Sequence, residues 1–111
     1  MVSTDSREQK VFQALADPTR RAILALLRDG SRPVSAIASE FDITRPGVSK
    51  HLRALRDASL VRERREGRHR LYEIDAEPLR LADEWIGFYR HMWQHKLRNL
   101  KTFLEERERR T

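Results

Sequence analysis

The sequence predicts a mainly α-helical fold with one small β-hairpin, closed by a long C-terminal helix. Three observations carry this expectation. Apolar residues recur at three- and four-residue steps through several short segments of the N-terminal half, the period of amphipathic helices. The stretch VRERREGRHRLYEI, Val61 to Ile74, places a glycine between two short segments with β-branched, aromatic and aliphatic content, the pattern of a hairpin. From Pro78 to about Arg107 the chain then runs without another proline and with a single glycine, Gly87. A chain of 111 residues has room for one domain built this way and not for two.

The elements follow in order. Residues 1–10 are polar and are expected to be a frayed, flexible terminus, with helical spacing starting at Val11, Phe12 and Leu15. Asp17 before Pro18 pairs a capping side chain with the helix position where a missing N–H costs nothing. The helix it opens carries Ala22, Ile23, Leu26 and Leu27 inward, reaches Arg28 or Asp29, and closes at Gly30. Arg32 to Val34 form an extended link, after which Ser35 is the expected cap of a short helix with Ile37, Ala38 and Phe41 facing inward. Asp42 sits where the chain must turn sharply, as a residue that tolerates left-handed geometry. Thr44 caps the next helix, which buries Val48, Leu52 and Leu55 and extends to between Asp57 and Ser59; the Arg45–Pro46 pair leaves its first residue open. The hairpin, Leu60–Arg65 and His69–Ile74 around Gly67, and the terminal helix complete the chain. Two packed short helices followed by a two-stranded ribbon describe a winged helix-turn-helix.

Charge locates a candidate site. The formal net charge is +6, and between Thr44 and Arg70 nine basic residues meet three acidic ones, leaving fourteen of each sign elsewhere. The whole imbalance lies in the second of the paired helices and the hairpin, as a localised anion-binding surface requires. With Val48, Leu52 and Leu55 directed inward, Pro46, Lys50, Arg53 and Asp57 lie opposite the core, with Gly47 and Ser49 at the edges of that face. A major groove accepts one such helix. Arg and Lys can donate to guanine, Ser and Thr to base or phosphate, and Pro46 offers apolar contact to a thymine methyl. An ordinary solvated helix face is the competing reading. Arginines of the hairpin, with His69 beside them, suit phosphates or a narrow minor groove. Glu63 and Glu66 fit equally a solubilising hairpin whose charges satisfy one another. His51 lies nearer the core direction and is expected to pack at the helix junction.

The segments LADPTRRAILALL, VSAIASEFDITRPGVSKHLRALRDASLV and REGRHRLYEI together resemble the ArsR-type winged-helix transcriptional repressors, over about Val11 to Leu104. The resemblance implies a homodimer on palindromic double-stranded DNA, blocking transcription. By it, residues 11–75 form the DNA-binding domain, and Thr44, Arg45, Pro46, Ser49, Lys50 and Arg53 match the reading stretch of the recognition helix. Arg64, Arg65, Arg68 and Arg70 match the wing. Residues 76–108 form a dimerisation helix, expected to belong to the same compact domain.

The spacing of that helix supports a partner independently. Ala82, Ile86, Tyr89, Trp93, Leu97, Leu100 and Leu104 recur along one helical face, and Trp85, Phe88 and Met92 widen it beyond what one side of a small core can cover. Five of the eight aromatic residues lie here. Trp85, Ile86, Tyr89, Met92, Trp93, Leu97 and Leu100 are the expected dimer interface. A purely intramolecular core and an amphipathic membrane helix are the alternatives.

Many ArsR-type repressors are released from DNA by metal ions, but the cysteine pair of the arsenic and cadmium sensors is absent, as is every other Cys. The zinc-sensing pattern fails too: Asp83 is followed two positions on by Trp85, and His95 three positions on by Arg98. His91 and His95 stand four apart on one face, close enough to share a zinc ion with Asp83 or Glu84 of the other subunit, although isolated pairs at this spacing are more often surface residues. Neither a metal nor a cofactor is expected, and no residue pattern specifies an effector. There is no Gly-rich phosphate loop, G-x-S-x-G or H-E-x-x-H, so no enzyme is expected. Without an apolar stretch for a membrane span or a signal peptide, a cytoplasmic protein with no membrane partner is expected. A less specific architectural or RNA-binding winged helix, or a protein–protein adaptor, remain the alternative functions.

Overall fold

A computed structural model describes residues Ser6 to Arg110. Its elements are α1 (Ser6–Leu15), α2 (Pro18–Leu27), β1 (Arg32–Pro33), α3 (Val34–Ser39), α4 (Arg45–Asp57), β2 (Val61–Glu66), β3 (His69–Ile74) and α5 (Leu79–Arg109). This is a winged helix-turn-helix with a long terminal helix. Residues 1–5 of the expected flexible terminus lie outside the described residues. Ser6–Lys10, expected to be frayed with them, are instead helical, and Val11 is buried against Leu81 and Ala82 of α5. Polar residues gave no inward pattern there because the first turns of α1 present their side chains to solvent.

The core lies between α2, α3, α4 and the sheet. Ile23 and Leu27 of α2, Ile37 of α3, Val48, Leu52 and Leu55 of α4, and Leu60 are all essentially inaccessible to water. Asp17 caps α2 as expected, its Oδ2 accepting the Arg20 amide at 3.0 Å, with Pro18 in the first turn. Gly30 follows this helix at φ 147°, its amide bonded to the Leu27 carbonyl. Arg20 and Arg21 fasten α1 to α2 by donating to the carbonyls of Gln13, Ala14 and Leu15 at the end of α1.

Three local expectations are corrected. The cap position of α3 is Pro33, not Ser35, and no side chain bonds the helix start. The extended link is a strand: β1 pairs with β3 through Arg32↔Tyr72 and Pro33↔Leu71, giving sheet order β1-β3-β2. Left-handed geometry falls on Ser59 (φ 61°) and not on Asp42. Ser59 ends α4: its amide bonds the Arg56 carbonyl and the Leu60 amide bonds the Leu55 carbonyl, both at 2.9 Å, the paired bonds of a Schellman stop. That stop aims the chain directly into β2.

In the hairpin the register runs from Val61↔Ile74 to Glu66↔His69 around Gly67, whose φ is 62°. Pleating puts Val61, Glu63, Arg65, Arg70, Tyr72 and Ile74 on one face and Arg62, Arg64, Glu66, His69, Leu71 and Glu73 on the other.

The terminal helix departs from one expectation. Only Leu81 and Ala82 of its residues are buried, and the helix contacts α1 alone to any extent. Beyond Trp85, which meets Phe12 edge-on at 5.5 Å, it projects away from the body instead of joining a compact domain. The radius of gyration is accordingly 19.7 Å, against about 13 Å for a compact chain of similar length.

Candidate nucleic-acid interface

Helix α4 starts where Thr44 ends the preceding turn. Thr44 Oγ1 accepts the Gly47 amide at 3.2 Å, and Pro46 sits in the first turn, where no intrahelical N–H is needed. With Val48, Leu52 and Leu55 buried, Arg45, Pro46, Ser49, Lys50 and Arg53 are all exposed on the opposite side. Gly47 is half-buried between them. The six expected residues thus form one continuous outward surface, anchored through the cap on Thr44.

The hairpin closes one side of this surface. Pro33, Val34, Ser35, Arg45, Ser49, Arg68, His69 and Arg70 line an open groove between the first turns of α4 and the hairpin tip. Its cationic groups come from two consecutive elements, Arg45 from α4 and Arg68 and Arg70 from the hairpin, brought together by the Ser59 stop and the sheet register.

Ion pairing divides the cations into two sets. Arg62 donates to Glu73 at 2.8 Å. Arg64 meets Glu66 at 3.3 Å, Ser31 Oγ at 3.3 Å and Glu73 at 3.6 Å. Arg56 and Arg70 both face Glu63, at 3.1 and 3.3 Å. Arg45, Lys50, Arg53, Arg65 and Arg68 make no side-chain hydrogen bond or ion pair among the described residues. Of the four wing arginines expected from sequence, Arg65 and Arg68 therefore present open guanidinium groups, whereas Arg64 and Arg70 are engaged with carboxylates. Composition could not separate them, because the sorting depends on which strand positions face each other.

His51 lies half-buried at the junction of α4 and α2, its Nδ1 3.8 Å from Asp17 Oδ2. The Asp17 carboxyl is held below its ordinary value, first by the Arg20 amide, with desolvation opposing and His51 assisting. On α5, His91 and His95 are exposed, and no group of three metal-ligating side chains occurs among the described residues. Asp83 is bridged to Arg90 and Glu84 to Arg80.

Along α5, Trp85, Ile86, Phe88, Tyr89, Met92, Trp93, Leu97, Leu100, Phe103 and Leu104 are all exposed in the single chain, Phe88 at 76% and Trp93 at 64%. The rings of Trp85 and Tyr89 meet at 5.0 Å, tilted 48° to each other. No described helix is long and apolar enough to cross a membrane.

Residues 15–64, from the end of α1 into β2, match a family described as a helix-turn-helix domain. The chain is 37% identical to the transcriptional repressor SdpR of Bacillus subtilis, over 68% of this chain and 84% of that protein. A crystal structure of an ArsR family transcriptional regulator is 36% identical, with a TM-score of 0.73, covering 85% of this chain and 97% of the other. The chain belongs to the ArsR family of winged helix-turn-helix transcriptional regulators. Two further relatives extend the comparison. The HTH-type transcriptional regulator Rv2034 of Mycobacterium tuberculosis is 42% identical over 67% of this chain and 69% of its own length. A homodimeric winged helix-turn-helix DNA-binding domain from Mycobacterium bovis, solved in solution, is 32% identical with a TM-score of 0.63 over 84% of this chain and 94% of that one. The matched helix-turn-helix segment takes in α2, α3 and α4 and the start of the hairpin.

Proposed function

We propose that the protein is a homodimeric repressor that binds a palindromic operator, with α4 in the major groove and the β2–β3 hairpin along the flanking backbone. The observation that carries this reading is the groove between α4 and the hairpin, lined by two open cations, Arg45 of α4 and Arg68 of the hairpin, with the open Lys50 and Arg53 exposed on the same helix and Arg65 on the hairpin. A carboxylate-paired arginine must give up its partner to reach a phosphate; an open one gives up only water and counterions. Arg45, Pro46, Ser49, Lys50 and Arg53 are the groove-reading set, with Thr44 holding the helix start. Arg65 and Arg68 are the backbone contacts of the wing.

The exposed face of α5 supports the dimer. Large apolar side chains from Trp85 to Leu104 in continuous array exceed what a monomeric surface ordinarily carries. Pairing two copies of α5 buries Ile86, Tyr89, Trp93, Leu97 and Leu100 together, with Trp85 and Met92 flanking, and sets two α4 helices for successive grooves. The M. bovis relative, itself homodimeric, is consistent with this arrangement. Repression follows from occupying the promoter, as the relationship to a named repressor suggests.

Selection of bound duplexes from a randomised pool tests the reading. It should enrich two inverted half-sites centred about 34 Å, or 10–10.5 base pairs, apart or a multiple of that. Enrichment of a single unrepeated site, or of none, contradicts it.

A further inference from the structure

Glu63 occupies an unusual place in a hairpin otherwise dominated by arginine. Its side chain is only 21% exposed, on the sheet face turned toward α4. One carboxylate oxygen accepts from Arg56, in the last turn of α4, at 3.1 Å and from the hydroxyl of Tyr72, its cross-strand partner, at 3.4 Å. The other oxygen lies 3.3 Å from Arg70 Nε on β3. Burial first, and then the Glu63 charge, push the Tyr72 hydroxyl above its ordinary value, so it remains a proton donor to the carboxylate. One acid therefore ties the end of the recognition helix to both strands of the wing. Glu66 differs: it is 67% exposed, and it pairs with Arg64, two residues away on its own strand.

We propose that Glu63 is a positioning residue for DNA recognition, fixing the angle between wing and recognition helix and thereby the discrimination between operator and other DNA. The inference rests on the DNA-binding reading above. Arg70 lines the groove beside Arg68, His69 and Ser49, so the carboxylate that orients Arg70 also sets how far the hairpin tip stands from α4. A free hairpin would bind phosphate at least as well, since two guanidinium groups would be released to solvent. It would lose the fixed spacing that lets wing and helix engage one register together. Glu63 thus trades general affinity for selectivity.

The test compares Glu63→Gln with Glu66→Gln, which makes the same change of charge in the same hairpin without touching α4. Affinities are measured for a selected palindromic duplex and its scrambled counterpart across a salt series. Glu66→Gln is expected to tighten both alike and leave their ratio unchanged. Glu63→Gln is expected to tighten scrambled DNA while the operator-to-scrambled ratio falls roughly tenfold, the size of one mismatched base pair. Equal ratios in both variants overturn the proposal and leave Glu63 as a charge only. Should Glu63→Gln fail to fold, Arg56→Gln, at a half-exposed position, cuts the α4 end of the tie and must lower the ratio in the same way. A readout without DNA separates this idea from the reading beneath it: residual dipolar couplings of hairpin and α4 amides should fit one alignment in the wild type and not in Glu63→Gln. If the wild type shows no preference for the palindrome, the repressor reading fails whatever the couplings show. If the preference is present and the couplings and ratio are unchanged in Glu63→Gln, the positioning role alone is wrong.

Discussion

Asp17, which caps α2, also faces the recognition helix: its Oδ2 accepts the Arg20 amide at 3.0 Å and lies 3.8 Å from His51 Nδ1 of α4. One carboxylate thus caps α2 and faces α4, and its charge is favoured in the folded state. A carboxyl held below its unfolded value adds stability that is complete above the ordinary aspartate range, near about pH 4, and is lost as pH falls through the lower folded value.

Asp17→Ala should therefore lower the melting temperature at neutral pH, and the gap from the wild type should narrow as pH falls below about 4. Thermal melts across a pH series check this. A gap that widens in acid would show the cap to act through something other than the carboxylate charge.

Ser59 carries a left-handed backbone at the end of α4 without being glycine. Ser59→Gly should stabilise the protein by about 1 kcal/mol, since an L-residue there costs about 1–2 kcal/mol and glycine none, with part returned as unfolded-chain entropy. Chemical denaturation reads the change directly; a loss of stability would mean that the Ser59 side chain contributes something the backbone geometry does not.

The sorting of the hairpin arginines predicts unequal effects in DNA binding. Arg68→Ala should weaken binding to all sequences and reduce the salt slope by about 1. Arg62→Ala, whose side chain is held by Glu73 at 2.8 Å, should do neither. Lys50→Ala or Arg53→Ala should cost about 1–3 kcal/mol on the operator and relax its sequence preference. Titrations at several salt concentrations distinguish these outcomes, and equal slopes for Arg62→Ala and Arg68→Ala would refute the division into engaged and open cations.

Trp93 is exposed on α5, far along the segment that projects beyond the body of the chain. Trp93→Ala should weaken dimerisation while leaving the α2–α4 core intact, so that sedimentation shifts toward monomer at dilutions where the wild type is dimeric. The melting temperature of the dimer should depend on protein concentration. An unchanged dimer would move the interface elsewhere on the molecule.

The recognition helix was legible because every cue to it is local: the Thr44 cap, the Pro46 position and the Val48, Leu52, Leu55 stripe all lie within one window. The hairpin was legible for the same reason, through Gly67 between two short strands. What escaped was set by distant pairing. Arg32–Pro33 has no strand pattern of its own and becomes β1 only through Tyr72 and Leu71 of β3. The first turns of α1 carry no inward pattern, while its later residue Val11 is buried against α5. Glu63 and Glu66 look equivalent in composition. Only the register, which sets Glu63 opposite Tyr72 and beneath Arg56, separates a tie between elements from a surface pair. The apolar stripe of α5 is legible from its spacing, and the structure shows that almost none of it is used by the chain's own core.

The most direct test of the account is the affinity of the wild-type protein for a selected palindromic duplex against a scrambled duplex of the same length and composition. The account predicts a ratio of about 10³ or more at physiological salt, with two protomers per operator. Equal affinity for the two duplexes, or binding to neither at low salt, would contradict it.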